Sequence, residues 1–93
     1  MKKYLWDPNK NKKLIEERQV SFDQIINSIE NGGLLDRYKH PNMESYPNQY
    51  ILVVNHLNYC YLVPIIETKD HITLKTIFPS RKATKKYLGE AIE

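Results

Sequence analysis

The chain has 93 residues, 41% hydrophobic and 27% charged, with a formal net charge of +3. That length fits one domain and is too short for two independent cores. The composition is that of a folded globular chain, not a disordered one. No apolar run approaches the roughly 20 residues that span a bilayer.

The start, Met1-Lys2-Lys3, leads into no apolar stretch. No secretory signal is therefore expected, and neither is a membrane role; a cytoplasmic location follows as an expectation. The single cysteine, Cys60, lies in an apolar run and reads as a buried core thiol. Residues 1–18 carry six Lys/Arg against three Asp/Glu, residues 19–70 three against six, and residues 71–93 five against two. If the two basic ends meet in space, they form a positive face suited to a polyanion. Otherwise they are ordinary solvated surface.

In chain order, Lys3 to Trp6 reads as a short strand. Asp7-Pro8 opens a helix, with Asp at the cap and Pro at the first helical position. It runs to about Arg18, with Leu14 and Ile15 on its inner side. Ser21 and Gln24 form a capping box for a second helix, and Val20 can staple onto Ile25. Phe22, Ile25, Ile26 and Ile29 make one buried stripe, and Gly32-Gly33 ends the helix. Leu34 to Lys39 then reads as a strand, followed by a polar loop with Pro41 and Pro47. Tyr50 to His56, Tyr59 to Glu67 and His71 to Phe78 follow as strands, with tight turns at Leu57-Asn58 and Lys69-Asp70. Their closeness in sequence predicts an antiparallel meander. Pro64 predicts a bulge or an unpaired edge. Pro79 stops the last strand, Ser80 caps a final helix over Arg81 to Leu88, and Gly89 closes it. The expected fold class is α+β: two N-terminal helices and a C-terminal helix packed on one face of a mainly antiparallel sheet.

The final helix carries the most chemistry. On a helical wheel Arg81, Lys82, Lys85 and Lys86 share one arc, while Ala83, Thr84, Tyr87 and Leu88 share the other. Arg81 and Lys82 sit in the first turn, where the macrodipole disfavours cations by about 0.3–1 kcal/mol each. A phosphate held by those cations and the free N–H groups would offset that cost; the alternative is a solvated basic helix. Lys75 either extends this basic surface or points to solvent beside His71 and Thr73. RNA cleavage by 2′-hydroxyl attack needs a base, an acid and a cation for the phosphorane. Of His40, His56 and His71, His40 is the best proton-transfer candidate, because Arg37, Tyr38 and Lys39 adjoin it. There is no zinc spacing, no phosphate-binding glycine loop and no nucleophile elbow.

Trp6-Asp7-Pro8-Asn9-Lys10, Val20-Ser21-Phe22, the apolar middle strands and Pro79-Ser80-Arg81-Lys82-Ala83-Thr84 together resemble the BrnT toxin family. His40-Pro41, Tyr46 to Gln49 and Leu74 to Lys82 also resemble a BrnT-related set of small bacterial toxins. The likeness covers residues 4–88. It implies a RelE-like fold, RNA cleavage, and a cognate antitoxin that neutralises the toxin and often binds DNA with it, so that DNA is met only indirectly through the antitoxin complex. Two departures stand out. Thr76, with Lys75 beside it, lies where the family usually has an arginine, and Arg18-Gln19 replaces its usual His-Gly. The resulting expectation is a metal-independent endoribonuclease toxin without cofactors. In it Arg81 stabilises the phosphorane, His40 or Tyr87 transfers the proton, and Lys75, Lys82, Lys85 and Lys86 bind RNA. The alternatives are a non-catalytic nucleic-acid-binding module or degenerate toxin of the same fold, and a purely structural partner protein.

Overall fold

A computed structural model describes residues 2–89. Met1, and the Glu90 and Glu93 counted in the basic C-terminal segment, lie outside them. In chain order the elements are β1 (Lys3–Leu5), α1 (Pro8–Arg18), α2 (Phe22–Ser28), β2 (Leu34–Lys39), β3 (Gln49–His56), β4 (Tyr59–Glu67), β5 (His71–Leu74), β6 (Phe78–Pro79) and α3 (Arg81–Leu88). The strands form one mixed, mostly antiparallel sheet in the order β1-β5-β4-β3-β2, with β6 also pairing with β4. The pairing of β1 with β5 is parallel. No helix among the described residues is long and apolar enough to cross a membrane.

Local sequence rules explain the helix ends. Asp7 accepts the N–H of Asn9 at 2.9 Å, and Pro8 occupies the first helical position of α1. Ser21 and Gln24 exchange both bonds of a capping box. After α2 the chain leaves helical geometry within Ile29–Gly33, where Asn31 and Gly32 have non-helical φ/ψ and Gly32 has a positive φ of 89°. A Cβ on Gly33 would lie 2.6 Å from the Asn55 carbonyl oxygen, so only glycine lets this turn approach β3 so closely. The β3–β4 hairpin turns at Leu57-Asn58, both with positive φ (54° and 63°), as a type I′ turn requires.

Three expectations are corrected. First, the helices do not share one face. Leu14, Val20, Phe22 and Ile25 pack against Leu52, Val54, Val63 and Ile65 on one side. Ala83, Tyr87 and Leu88 pack against Val53, Cys60 and Leu62 on the other. The molecule is therefore layered α1–α2, sheet, α3. The basic ends accordingly lie on opposite sides of the sheet, although Arg18 reaches round to the Ile77 carbonyl at 2.5 Å and lies over the Phe78 ring. Second, Ile15 is 48% exposed, because α1 touches the sheet through a stripe only as wide as Leu14.

Third, the last predicted strand breaks into β5 and β6, and the cause is Pro64. The Lys75 N–H donates to the Pro64 carbonyl at 2.9 Å. The reciprocal bond needs an N–H that proline lacks, so the ladder stops there. Pairing resumes at Leu62–Phe78, and Pro79 lies inside β6. On its other side β4 stays in register through Pro64, opposite Ile51. The interruption expected at Pro64 is thus found on the β5–β6 side, where pairing resumes one residue out of register, and a separate register shift lies between Leu34 and Asp36 of β2.

Candidate functional site

A concave surface lies between α3 and the edge strand β2. The start of α3 is anchored twice to β4. The Ser80 N–H donates to the Cys60 carbonyl at 2.9 Å. The Cys60 N–H in turn donates to Thr84 Oγ1 at 2.8 Å, and the Thr84 hydroxyl donates to the Ser80 carbonyl at 2.7 Å. Burial pushes the Cys60 thiol up, so it stays a neutral core group. From this anchor α3 crosses the sheet until the Tyr87 hydroxyl donates to Asp36 Oδ2 on β2 at 2.5 Å.

Between helix and edge strand lies an open cleft of about 470 Å³. Its helix wall comes from Ser80, Lys82, Ala83, Lys86 and Tyr87; its strand wall comes from Asp36 and Tyr38; Val53 and Leu62 form the floor. Lys82 and Lys86 stand one turn apart, so both ammonium groups flank the same opening. The Tyr87 hydroxyl bond and the Arg37 N–H hold the Asp36 carboxyl below its usual range, with Lys86 adding to the effect. The same bond to Asp36 pushes Tyr87 up to about 12. Near neutral pH Tyr87 is thus a hydrogen-bond donor that keeps its proton.

Of the residues predicted from sequence, Lys82, Lys86 and Tyr87 come together in the cleft. Arg81 and Lys85 are exposed on the arc of α3 that does not line it. Ser80 Oγ accepts the Ala83 N–H at 3.0 Å. The N–H groups of Arg81 and Lys82 have no backbone partner among the described residues. Lys75 is exposed on the irregular segment between β5 and β6. His40 lies just past the end of β2, four residues from Asp36, about 13 Å along an extended strand. Its Nδ1 accepts the Asn42 N–H at 3.0 Å, which puts the proton of the neutral ring on Nε2. The ring stacks on Tyr46 with centroids 4.4 Å apart.

The other two histidines are remote from the cleft lining. His56 Nδ1 lies 2.8 Å from Ser28 Oγ, and burial holds its pKa below the ordinary value; His71 begins β5. Thr76, at the place where the resembled family carries arginine, has a buried hydroxyl with no partner. Sequence reasoning missed Asp36 and Tyr38. Their signal was present, an acid and an aromatic two residues apart on a strand, but nothing local paired that strand with the last helix. Among the described residues no group of His, Cys, Asp and Glu side chains is arranged to hold a metal ion. Comparison with known families, with curated proteins and with solved structures finds no match for this chain.

Proposed function

We propose that the protein is an RNA-cleaving toxin of the BrnT and RelE type, with a RelE-like version of the α+β fold, and that the α3–β2 cleft receives the RNA strand. One observation carries this reading: two lysines one turn apart on α3 face Tyr38 across a groove. Lysines neutralise successive phosphates, and aromatic rings stack bases, which is how single strands are held. Arg81 precedes Lys82 in the first turn of α3, where two N–H groups are free. There its planar fork can take the charge that develops on a phosphorane. His40, whose Nδ1 is held by the Asn42 N–H, is the candidate donor to the leaving 5′-oxygen through Nε2. A cognate antitoxin would silence the protein by laying an acidic segment over these cations, and DNA would be met only through that complex.

A second reading has its own support. Tyr87 is locked to Asp36 with its proton retained, and His40 does not line the cleft. That arrangement suits a module that binds RNA without cutting it. Single-turnover cleavage of RNA decides between them. The toxin reading expects cleavage at moderate salt, with Arg81→Ala about 100- to 1000-fold slower. Lys82→Ala/Lys86→Ala should weaken RNA binding and reduce the salt slope by roughly two. A mobility shift without cleavage assigns the binding module. No shift at all overturns both.

A further inference from the structure

We infer that the cleft is a guanine site in which Asp36 reads the base and Tyr38 stacks on it. This rests on the reading of the cleft as an RNA groove, and it names the base that groove prefers. Asp36 and Tyr38 are two residues apart on β2, so they project to the same side of the sheet, and both line the cleft. The ionised Asp36 carboxylate is an acceptor only. Its Oδ1 takes the Arg37 N–H at 2.7 Å and its Oδ2 takes the Tyr87 hydroxyl. These two bonds fix the orientation of the group and leave each oxygen a second lone pair. The side chain is exposed to the groove.

Two acceptors side by side match a base edge that presents two donors side by side. Among the four RNA bases only guanine does this, through N1–H and its 2-amino group. Adenine and cytosine set an amino donor next to an acceptor ring nitrogen. Uracil sets its N3–H between two carbonyls. Each of these three turns a lone pair toward the carboxylate. The stacking surface is Tyr38, which is 40% exposed. The Tyr87 ring already has Lys86 Nζ 5.2 Å from its centroid. Lys82 and Lys86, on the facing wall, can take the phosphate attached to the base, and about 470 Å³ is ample for a nucleotide-sized ligand.

Calorimetric titration of the intact chain with guanosine, adenosine and xanthosine monophosphates tests this. The guanosine nucleotide should bind about 10- to 100-fold tighter than the adenosine one. Asp36→Asn turns one acceptor into a donor. That opposes the guanine 2-amino group and complements the 2-carbonyl of xanthine, so the variant should lose guanosine preference and gain xanthosine nucleotide binding. Loss of structure cannot produce that gain. Tyr38→Ala should weaken guanosine and adenosine nucleotides by similar factors and leave their ratio unchanged. An RNA trimer with a central guanine should bind tighter than free guanosine monophosphate. A trimer that binds no tighter overturns the strand reading and leaves a free nucleotide as the ligand. Equal affinity of the unmodified protein for guanosine and adenosine nucleotides, or a ratio untouched by Asp36→Asn, overturns the inference. These affinities are read without any cleavage. Cleavage with no guanine preference defeats this inference alone; guanine preference with no cleavage defeats the toxin reading alone.

Discussion

The same substitution, threonine to valine, should act in opposite directions at two positions. Thr84 is 0% exposed and ties α3 to the sheet. Its Oγ1 accepts the Cys60 N–H and its hydroxyl donates to the Ser80 carbonyl. Valine keeps the shape and removes both bonds. The Ser80 carbonyl keeps the Thr84 N–H as a partner at 3.0 Å, so its loss amounts to one ordinary bond, about 1 kcal/mol. The Cys60 N–H is left buried without that partner, which adds about 1–3 kcal/mol. Thr84→Val should therefore destabilise by about 2–4 kcal/mol, or lower Tm by about 10–20 °C in a domain this small. Thr76 is the reverse case: its buried hydroxyl has no partner to lose. Thr76→Val removes an unpaid desolvation cost and should stabilise by about 1 kcal/mol. Urea and thermal unfolding of both variants against the unmodified chain measure this. If the two shifts share a sign, or if Thr84→Val costs less than about 1 kcal/mol, the account of how α3 is fastened is wrong.

Three further outcomes follow from groups already described. Tyr87→Phe removes the bond that most depresses the Asp36 carboxyl, so an NMR titration should show the Asp36 midpoint rising toward 3.8. The Asp36 contribution to stability is present above 3.8 and lost as pH falls through the depressed folded value, and this acid-side loss should shrink in Tyr87→Phe. Burial disfavours charged His56, so the unfolded chain gains that proton first below pH 6.5. Stability should fall from that point down to the folded value, and His56→Gln should flatten the urea-midpoint profile between about pH 7 and 5. Gln19 closes α1 at φ 58°, a left-handed conformation that costs a non-glycine residue about 1–2 kcal/mol. Gln19→Gly should raise stability by up to about 1 kcal/mol after the entropy of glycine is deducted; a lower urea midpoint would count against that backbone geometry.

Much of the fold was legible because its signals are local. Pro8 after Asp7, the Ser21–Gln24 box, the Gly32-Gly33 stop and the Ser80 cap each concern residues within one turn of one another, and each is found as read. The layering left a signal that the one-face expectation overlooked. In β3, Leu52, Val53 and Val54 are all buried, so both parities of the strand are apolar. A strand covered on one face alternates; one covered on both reads as a continuous run. That run called for a helix on each side, and α3 is the second. The break between β5 and β6 is not local at all, since the residue that causes it, Pro64, lies on a different strand.

The candidate site was the least legible part, and the reason is the bulge in β2. Leu34 pairs with Val54, on the α1–α2 side of the sheet. Strict alternation from there would send Asp36 and Tyr38 to that same side, away from α3. The extra residue, Leu35, shifts the register, so that Asp36 pairs with Val53 and Tyr38 with Ile51. Both side chains then stand on the α3 side, where Asp36 meets Tyr87. Bulges re-aim side chains in this way and are common beside functional sites. This one has no glycine or proline to mark it in the sequence. One unpaired leucine thus decides whether the acidic and aromatic groups of the edge strand and the lysines of the last helix share a groove or lie on opposite faces.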